Sequence, residues 1–258
     1  FINDAFATAH RTHASNVGIT EHVRNSVAGV LFEKEIKYLL DTMDNPRCPI
    51  VLMIGGAKIK DKIELIYHMM EKVNIILIGG AMSFAFLKAL GKNIGASFID
   101  DMDLHIVDDI IRNAEKRGIK IILPSDVVSA TEKSDKTNWR VTHLDGLKSD
   151  EAGFDIGPET TLNFQLILST ANTIIWNGPL GLCEIPSFST GTQAIASFLR
   201  DRTKDGAISI VGGGDTALAL KQSGIQEGFT HISTGGGASL QLLSGKELPA
   251  FEALKVYA

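Results

Sequence analysis

From Pro49 onward one pattern recurs along the chain: a short run of β-branched and other apolar residues, a turn containing glycine, then a stretch whose apolar positions fall three and four apart. Spacing near the helical repeat marks a helix with one buried face, whereas a short unbroken apolar run marks a strand buried on both sides. The runs are Ile50 to Ile54, Ile75 to Ile78, Lys120 to Leu123, Thr173 to Trp176, Ala207 to Val211 and His231 to Ser233. Strands of that kind separated by helices predict a parallel sheet of about six strands, and right-handed crossovers place helices on both of its faces. The expected fold class is therefore α/β, a doubly wound, Rossmann-like three-layer sandwich.

Two stretches depart from this rhythm. Between Ser125 and Pro158 the chain turns polar, with Ala130-Thr131-Glu132-Lys133-Ser134-Asp135-Lys136 followed by Trp139-Arg140-Val141-Thr142, which predicts an irregular insertion forming a small antiparallel piece. Ahead of the sheet, Leu31, Ile36, Leu39 and Leu40 lie near helical spacing amid Glu33, Lys34, Glu35 and Lys37, predicting an amphipathic helix from Val27 to Asp41. The opening Phe1-Ile2-Asn3-Asp4-Ala5 reads as the end of a strand with no initiator Met and no preceding turn, so the chain is expected to be a piece of a longer protein.

Composition narrows the classes. The 258 residues are 44% hydrophobic, 21% charged and 7% aromatic, which suits a globular α/β protein and not a disordered or fibrous one. A net charge of −5 argues against a nucleic-acid partner, while leaving room for a local basic patch that cradles phosphate. No run approaches the ~18 apolar residues of a membrane span, and no basic segment followed by an apolar one opens the chain, so no membrane partner and a cytoplasmic setting are expected. Cys48 and Cys183 lie far apart with no Cys-x-x-Cys and no clustered His, and are expected to be free thiols.

Candidate chemistry collects where glycine follows an apolar strand. Gly55-Gly56, Gly79-Gly80, Gly178 with Gly181, Gly212-Gly213-Gly214 and Gly235-Gly236-Gly237 each occupy that place and are expected to open a helix. In an open parallel sheet the carboxyl ends of the strands share one edge, where backbone N–H groups and helix amino ends face an anion. One such pair is a tight turn; five together favour a ligand rich in phosphate. Lys58 sits in the first turn and Lys62 follows four residues later, on the same face of the expected helix, so two cations reach one polyphosphate. The string is neither the Walker pattern nor the dinucleotide Gly-x-Gly-x-x-Gly. Asp215, directly after Gly212-Gly213-Gly214, caps a helix or holds magnesium beside phosphates. Asn177-Gly178-Pro179 makes a stiff turn suited to a nucleoside, with Glu184 placed for ribose hydroxyls, and His10-Arg11-Thr12-His13 sets a permanent cation beside two imidazoles.

Taken in order, Asn3 to His13, Gly55-Gly56-Ala57-Lys58, Trp176-Asn177-Gly178-Pro179, Gly212-Gly213-Gly214-Asp215-Thr216 and Ser233-Thr234-Gly235-Gly236-Gly237-Ala238-Ser239 resemble phosphoglycerate kinase across essentially the whole chain. The resemblance implies reversible phosphoryl transfer from 1,3-bisphosphoglycerate to ADP, giving 3-phosphoglycerate and ATP, with Mg2+ carried by the nucleotide and a monomeric enzyme. It also implies a division of the chain: residues 1–26 as a remnant of a glycerate-binding α/β domain, 27–44 as interdomain helix and linker, 45–245 as the nucleotide-binding domain, and 246–258 as a tail returning to the first domain.

Carried over by motif, Lys58 accompanies the transferring phosphoryl group and Lys62 the inner phosphates. Gly56, Ala57, Gly213, Gly214 and Thr216 surround the phosphates, and Asp215 holds the metal. Asn177, Pro179 and Glu184 line the ribose, and Gly80 and Ala81 the adenine. Gly235, Gly236 and Gly237 face the transferring group, with Gly213 and Gly236 stabilising transition-state charge, and Arg11 with His10 belongs to the glycerate side. Cys183 and Ala81 depart from the Phe and Gly usual at those places. The alternatives are a nucleotide-binding module without turnover and a Rossmann-type dehydrogenase.

Overall fold

The computed structural model describes residues 1–99 and 103–255. In chain order the elements are β1 (Ile2–Asn3), β2 (Val27–Ala28), α1 (Val30–Asp44), β3 (Ile50–Ile54), α2 (Ile63–Met69), β4 (Ile75–Ile78), α3 (Ser83–Ala89), α4 (Asp103–Lys116) and β5 (Lys120–Ile122). There follow β6 (Asp126–Ala130), β7 (Trp139–His143), β8 (Ala152–Ile156), α5 (Pro158–Ser169), β9 (Thr173–Asn177), α6 (Thr190–Lys204), β10 (Ile208–Gly212), α7 (Gly214–Gln222), β11 (His231–Ile232), α8 (Gly237–Leu243) and α9 (Pro249–Lys255).

The expected six strands form one sheet in the order β11-β10-β9-β3-β4-β5, every pair parallel. The central strand β3 is buried along its whole length, and its alternate residues enter different cores. Ile50, Leu52 and Ile54 join Ile76, Ile78, Ile175 and Ile210 under α1, α2, α4 and α8, through Phe32, Leu39, Leu65, Ile66, Val107, Ile110 and Leu242. Val51 and Met53 join Leu77, Ile174, Trp176 and Val211 under α5, α6 and α7, through Phe164, Leu168, Ile195, Leu199 and Leu220. The unbroken apolar runs thus have a physical reason, because both pleat faces must be apolar when helices cover both.

Two boundaries differ from expectation. The helix predicted from Val27 begins at Val30, because Val27 and Ala28 pair in parallel with Ile2 and Asn3. Gly29, extended at ψ 171°, turns the chain into α1, and Asp4 Oδ1 accepts the Phe32 N–H at 2.9 Å, capping the helix from across the fold. The insertion is more regular than its polarity predicts: β6, β7 and β8 form an antiparallel sheet in the order β7-β6-β8, with a bulge between Val128 and Ser129.

Residues near both ends of the chain meet. Phe6 and Phe32 stack edge to face at 5.5 Å, Phe251 of α9 lies 6.4 Å from Phe32, and Ala250 N–H donates to Ala9 O at 3.1 Å. The expected returning tail reaches into residues 256–258, which lie outside the described residues. Among the described residues no helix is long and apolar enough to cross a membrane.

Candidate functional site

The turns that follow β3, β4 and β9 are tied together by backbone hydrogen bonds. Gly55 N–H donates to Asn177 O at 3.0 Å, Gly56 N–H to Pro179 O at 2.8 Å, and Gly80 N–H to Leu180 O at 2.9 Å. Glycine is required for this approach: Gly178 has φ +97°, and a Cβ there would collide with Gly55 O, while Gly80 has φ +63° and faces Gly56 N. Trp176 and Thr216 fix the β9 turn from below, the indole Nε1–H donating to Gly178 O at 2.8 Å and the buried Thr216 Oγ1 accepting Gly178 N–H at 2.7 Å.

These turns form one side of a cleft of about 210 Å³. Among the expected site residues Gly56, Ala57, Gly80, Ala81, Pro179, Glu184 and Asp215 line it, together with Gly153, Phe154, Gly181, Leu182, Cys183, Leu218, Ala219 and Gln222. Leu218 and Gln222 follow Asp215 at helical spacing, a signal present in the sequence, whereas Gly153 and Phe154 sit in the insertion and carry no such mark. The walls are apolar and close to backbone, suited to a planar heterocycle. Burial pushes the Cys183 thiol up to about 11, so this cleft cysteine is a protonated, unreactive side chain.

The cleft runs to the amino end of α7. Gly213, at φ +94°, supplies no side-chain cap to this helix, and Asp215, exposed in its first turn, makes no capping bond. Of the two roles open to Asp215, capping is therefore not the one it fills. Asn177 is buried at the end of β9 with its Nδ2 lacking any partner, and that nitrogen faces Gly212 and Gly213, where a Cβ would approach it to 3.3 and 3.4 Å. A buried amide donor without an acceptor is costly, and here it faces a free helix end.

Lys62 completes the group, its Nζ 3.9 Å from where a Gly56 Cβ would stand. Burial holds its amine below the usual lysine range, with Asp61 and Asp215 pulling the other way. The expected pairing of Lys58 and Lys62 on one helix face is not what the chain builds: residues 60–62 form a 3-10 turn, Lys62 stands before the first residue of α2, and Lys58 lies exposed in the preceding loop. The β9 glycines also open no helix, since α6 begins only at Thr190. The extended segment between them supplies Leu182, Cys183 and Glu184 to the cleft.

At the neighbouring strand end, His10 and Arg11 meet the Gly235–Gly237 turn. A Cβ on Gly237 would stand 3.1 Å from His10 Nε2, which accepts the Arg11 Nε–H at 3.3 Å, and Phe6 packs against Gly235. Burial, and next the Arg11 charge, hold the His10 pKa below its usual value. Behind the turn, Glu35 of α1 is wholly buried, with Oε2 2.7 Å from His231 Nε2 and Oε1 accepting from Thr234 N–H at 2.9 Å and Thr234 Oγ1 at 3.1 Å. Burial alone would raise the Glu35 pKa, but hydrogen bonds from His231, Ser233 and Thr234 outweigh it and hold it low. Tyr38 stacks on His231 at 5.0 Å, so α1 fixes the position of the glycine turn. Nothing in the spacing of the sequence marks this long-range pairing.

Among the described residues no group of three His, Cys, Asp or Glu side chains could hold a metal by itself. A single exposed carboxylate, Asp215, beside an open helix amino end is the kind of partial donor set that suits Mg2+, which keeps several waters and takes one or two carboxylates plus phosphates.

Comparison with known proteins agrees with this geometry. The family profile described as phosphoglycerate kinase matches residues 1–246. The phosphoglycerate kinase of Chloroherpeton thalassium is 47% identical over 254 residues, covering 98% of this chain and 64% of that protein, and the one from Chlorobium phaeobacteroides strain BS1 matches to the same extent. The structure of phosphoglycerate kinase from Coxiella burnetii superposes with a TM-score of 0.93 at 38% identity, covering 100% of this chain and 66% of that one. That of phosphoglycerate kinase from Pyrococcus horikoshii OT3 gives 0.87 at 32% identity, covering 99% and 64%. The chain spans about 64% of the length of the curated relatives it matches. A family match over the interlocked glycine turns, the uncapped end of α7 and the Gly235–Gly237 turn leaves no room for the dehydrogenase alternative: the chain belongs to the phosphoglycerate kinase family.

Proposed function

We propose that this chain supplies the nucleotide side of reversible phosphoryl transfer between the acyl phosphate of 1,3-bisphosphoglycerate and ADP, giving 3-phosphoglycerate and ATP. The observation that carries the reading is the convergence of an unpartnered buried donor, Asn177 Nδ2, a desolvated Lys62 and an uncapped helix end at one end of a cleft with apolar walls. In-line phosphoryl transfer asks for positioning and charge neutralisation and not for a protein nucleophile, and the site offers those.

In this reading Gly80 and Ala81 border the adenine, with Pro179 and Glu184 at the ribose. Gly56 and Ala57 flank the phosphates with Lys62, and the N–H groups of Gly213, Gly214 and Thr216 meet them at the start of α7. Asn177 faces Gly212 and Gly213, so its amide is assigned to the phosphates and not, as its motif implies, to the ribose. Asp215 holds the magnesium, which screens phosphate charge. Exposed Lys58 follows the transferring phosphoryl group, while Gly235, Gly236 and Gly237 with His10 and Arg11 receive the glycerate side. Residues 1–26 then belong to the glycerate-binding domain, 27–44 to the linker, 45–245 to the nucleotide domain and 246–258 to the returning tail. Two free thiols, Cys48 and Cys183, fit the reducing cytoplasm, where the same reading places a monomer.

Calorimetric titration of the chain with ADP, with and without Mg2+, tests the first step. Lys58→Ala and Asp215→Ala are each expected to reduce turnover sharply in a coupled assay with ATP and 3-phosphoglycerate; unchanged rates refute those roles. A second reading, nucleotide binding without turnover, is favoured by the 64% coverage of the relatives. Binding of Mg-ADP with no turnover in the same assay is its outcome.

A further inference from the structure

The cleft has one wall that belongs to neither the large sheet nor its helices. Gly153 and Phe154 come from β8 of the small sheet, and they face Gly181, Leu182 and Cys183 of the segment that follows β9. Across this boundary a single backbone hydrogen bond joins the two, Leu182 N–H to Phe154 O at 2.8 Å. Phe154 also packs with Leu182, Ile185 and Phe188, its ring 4.8 Å from that of Phe188, and further ties run through the first turn of α6. Asp155 is 4% exposed, its Oδ2 accepts Gly191 N–H at 2.7 Å, and its Oδ1 accepts its neighbour Ile156 N–H at 2.9 Å. A Cβ on Gly181 would collide with the same Oδ1. One residue along α6, Thr192 Oγ1 accepts Leu180 N–H at 3.0 Å and Gly181 N–H at 3.2 Å. One helix end thus grips β8 through Asp155 and the opposing segment through Thr192.

Asp155 is not among the residues lining the cleft. Burial pushes the Asp155 carboxyl up to about 8, against the pull of the Gly191 and Ile156 N–H groups, so this acidic side chain is kept here at a desolvation cost. Asp126 on β6 provides an internal comparison. It is equally buried, its Oδ1 accepts Thr160 N–H and Thr160 Oγ1 at 2.7 Å each, and its Oδ2 accepts Glu159 N–H at 3.1 Å, so it caps α5 as Asp155 caps α6. Asp126 is likewise not among the residues lining the cleft, and its side chain bonds only the start of α5, not α6 or the Gly181–Cys183 segment. The two aspartates cap alike and differ in what lies beside them.

We propose that Asp155 is a positioning residue for nucleotide binding, setting the separation of the β8 wall from the Gly181–Cys183 wall while touching no ligand. The inference rests on the nucleotide reading of the cleft. D155N keeps the size of the side chain but leaves a single oxygen for the N–H groups of Gly191 and Ile156, so one of the two bonds is lost and the junction of β8 with α6 is loosened. Asp126→Asn makes the same change on α5.

The test titrates the 258-residue chain with ADP and Mg2+ by calorimetry and follows melting of each variant. Both variants are expected to melt below the wild type, while only D155N weakens ADP, on the order of tenfold. Equal ADP affinity in D155N and wild type, with the melting shift alone, overturns the proposal, and so does an equal loss in D126N. If D155N does not fold, T192V removes the acceptor for Leu180 and Gly181 and carries the same expectation. If the wild type itself binds no ADP, the nucleotide reading fails, and the positioning role is then decided by amide exchange. Leu182 must exchange faster in D155N than in wild type or D126N, and no difference there overturns it.

Discussion

The amino ends of α5 and α7 solve one physical problem in opposite ways. Both present backbone N–H groups without partners in their own helix, and both carry the positive end of a helix dipole. At α5 a buried carboxylate from the small sheet, Asp126, fills the end with three short hydrogen bonds. At α7 the preceding residue is Gly213, no side chain caps the end, and the groups around it are Asp215, half-buried Lys62 and the unpartnered amide of Asn177. The first end is finished by the protein itself; the second is left for a ligand that brings its own negative charge. Whether a helix end serves the fold or the chemistry is decided by what the rest of the chain places against it.

The strongest way to break this comparison is to empty the filled end. Asp126→Ala leaves Glu159 N–H and Thr160 N–H without their acceptor in a buried place, while the Thr160 hydroxyl keeps the backbone carbonyl of residue 126 at 3.0 Å, and should cost roughly 2–4 kcal/mol. Denaturant unfolding monitored by circular dichroism measures it, and ADP affinity is expected to stay unchanged. A loss below about 0.5 kcal/mol would mean that the cap is not holding the small sheet.

The converse substitution at the open end should separate binding from stability. Asp215→Asn removes a carboxylate that makes no capping bond, so the melting temperature is expected to stay within the scatter of a surface change, about 0.5 kcal/mol. Binding of ADP in the presence of Mg2+ should weaken, while metal-free ADP binds as well or better because one negative charge has gone. If metal-free and metal-bound ADP weaken alike, Asp215 does not act through the ion.

These two ends also show where sequence speaks and where it falls silent. The large sheet is legible because both faces of β3 are buried, which writes five apolar residues in a row, and its glycine turns are legible because only glycine tolerates the approach of Gly178 to Gly55. The open end of α7 is marked by Gly213 and Asp215 for the same local reason. The filled ends are not, because Asp126 and Thr160 stand 34 positions apart and Asp155 and Gly191 stand 36 apart. Such pairs look like ordinary polar residues until the strands of the insertion pair. The start of α1 is misread for a related reason, since Val27 and Ala28 fit a helical pattern and are taken instead by a ladder with Ile2 and Asn3. Lys58 and Lys62 fail differently: their spacing is correct for a helix, but α2 begins at Ile63, one residue past Lys62 and well past Lys58.

Lys62 offers a smaller and sharper contrast. Its amine is held at the open end against desolvation, with Asp61 and Asp215 as the favourable charges. Lys62→Met keeps the stem and removes that burden, so the unliganded chain is expected to gain about 0.5–1 kcal/mol, as is common when a functional charge is taken from a site. ADP affinity should fall at the same time. A variant that loses stability instead would show that Lys62 belongs to the fold, as Asp126 does.

The smallest effect concerns the far side of the small sheet, where Arg140 of β7 grips Glu151 just ahead of β8, Nε to Oε1 at 2.9 Å and NH2 to Oε2 at 2.6 Å. The Arg140 hydrogen bonds, more than any other cause, hold the Glu151 carboxyl down at about 2, from 4.5. Because the folded value lies below the unfolded one, the contribution is complete above pH 4.5 and is lost as the pH falls from there toward 2. Arg140→Met should therefore lower the melting temperature modestly at pH 7 and progressively less at each step below pH 4.5. Melting curves of the two proteins that stay parallel down to pH 3 would show that the pair does not couple acid to the stability of this sheet. Because the pair sits on β7 and next to β8, away from the helix ends, neither pH nor this substitution is expected to move ADP affinity at neutral pH, in contrast to any change that loosens β8 from α6.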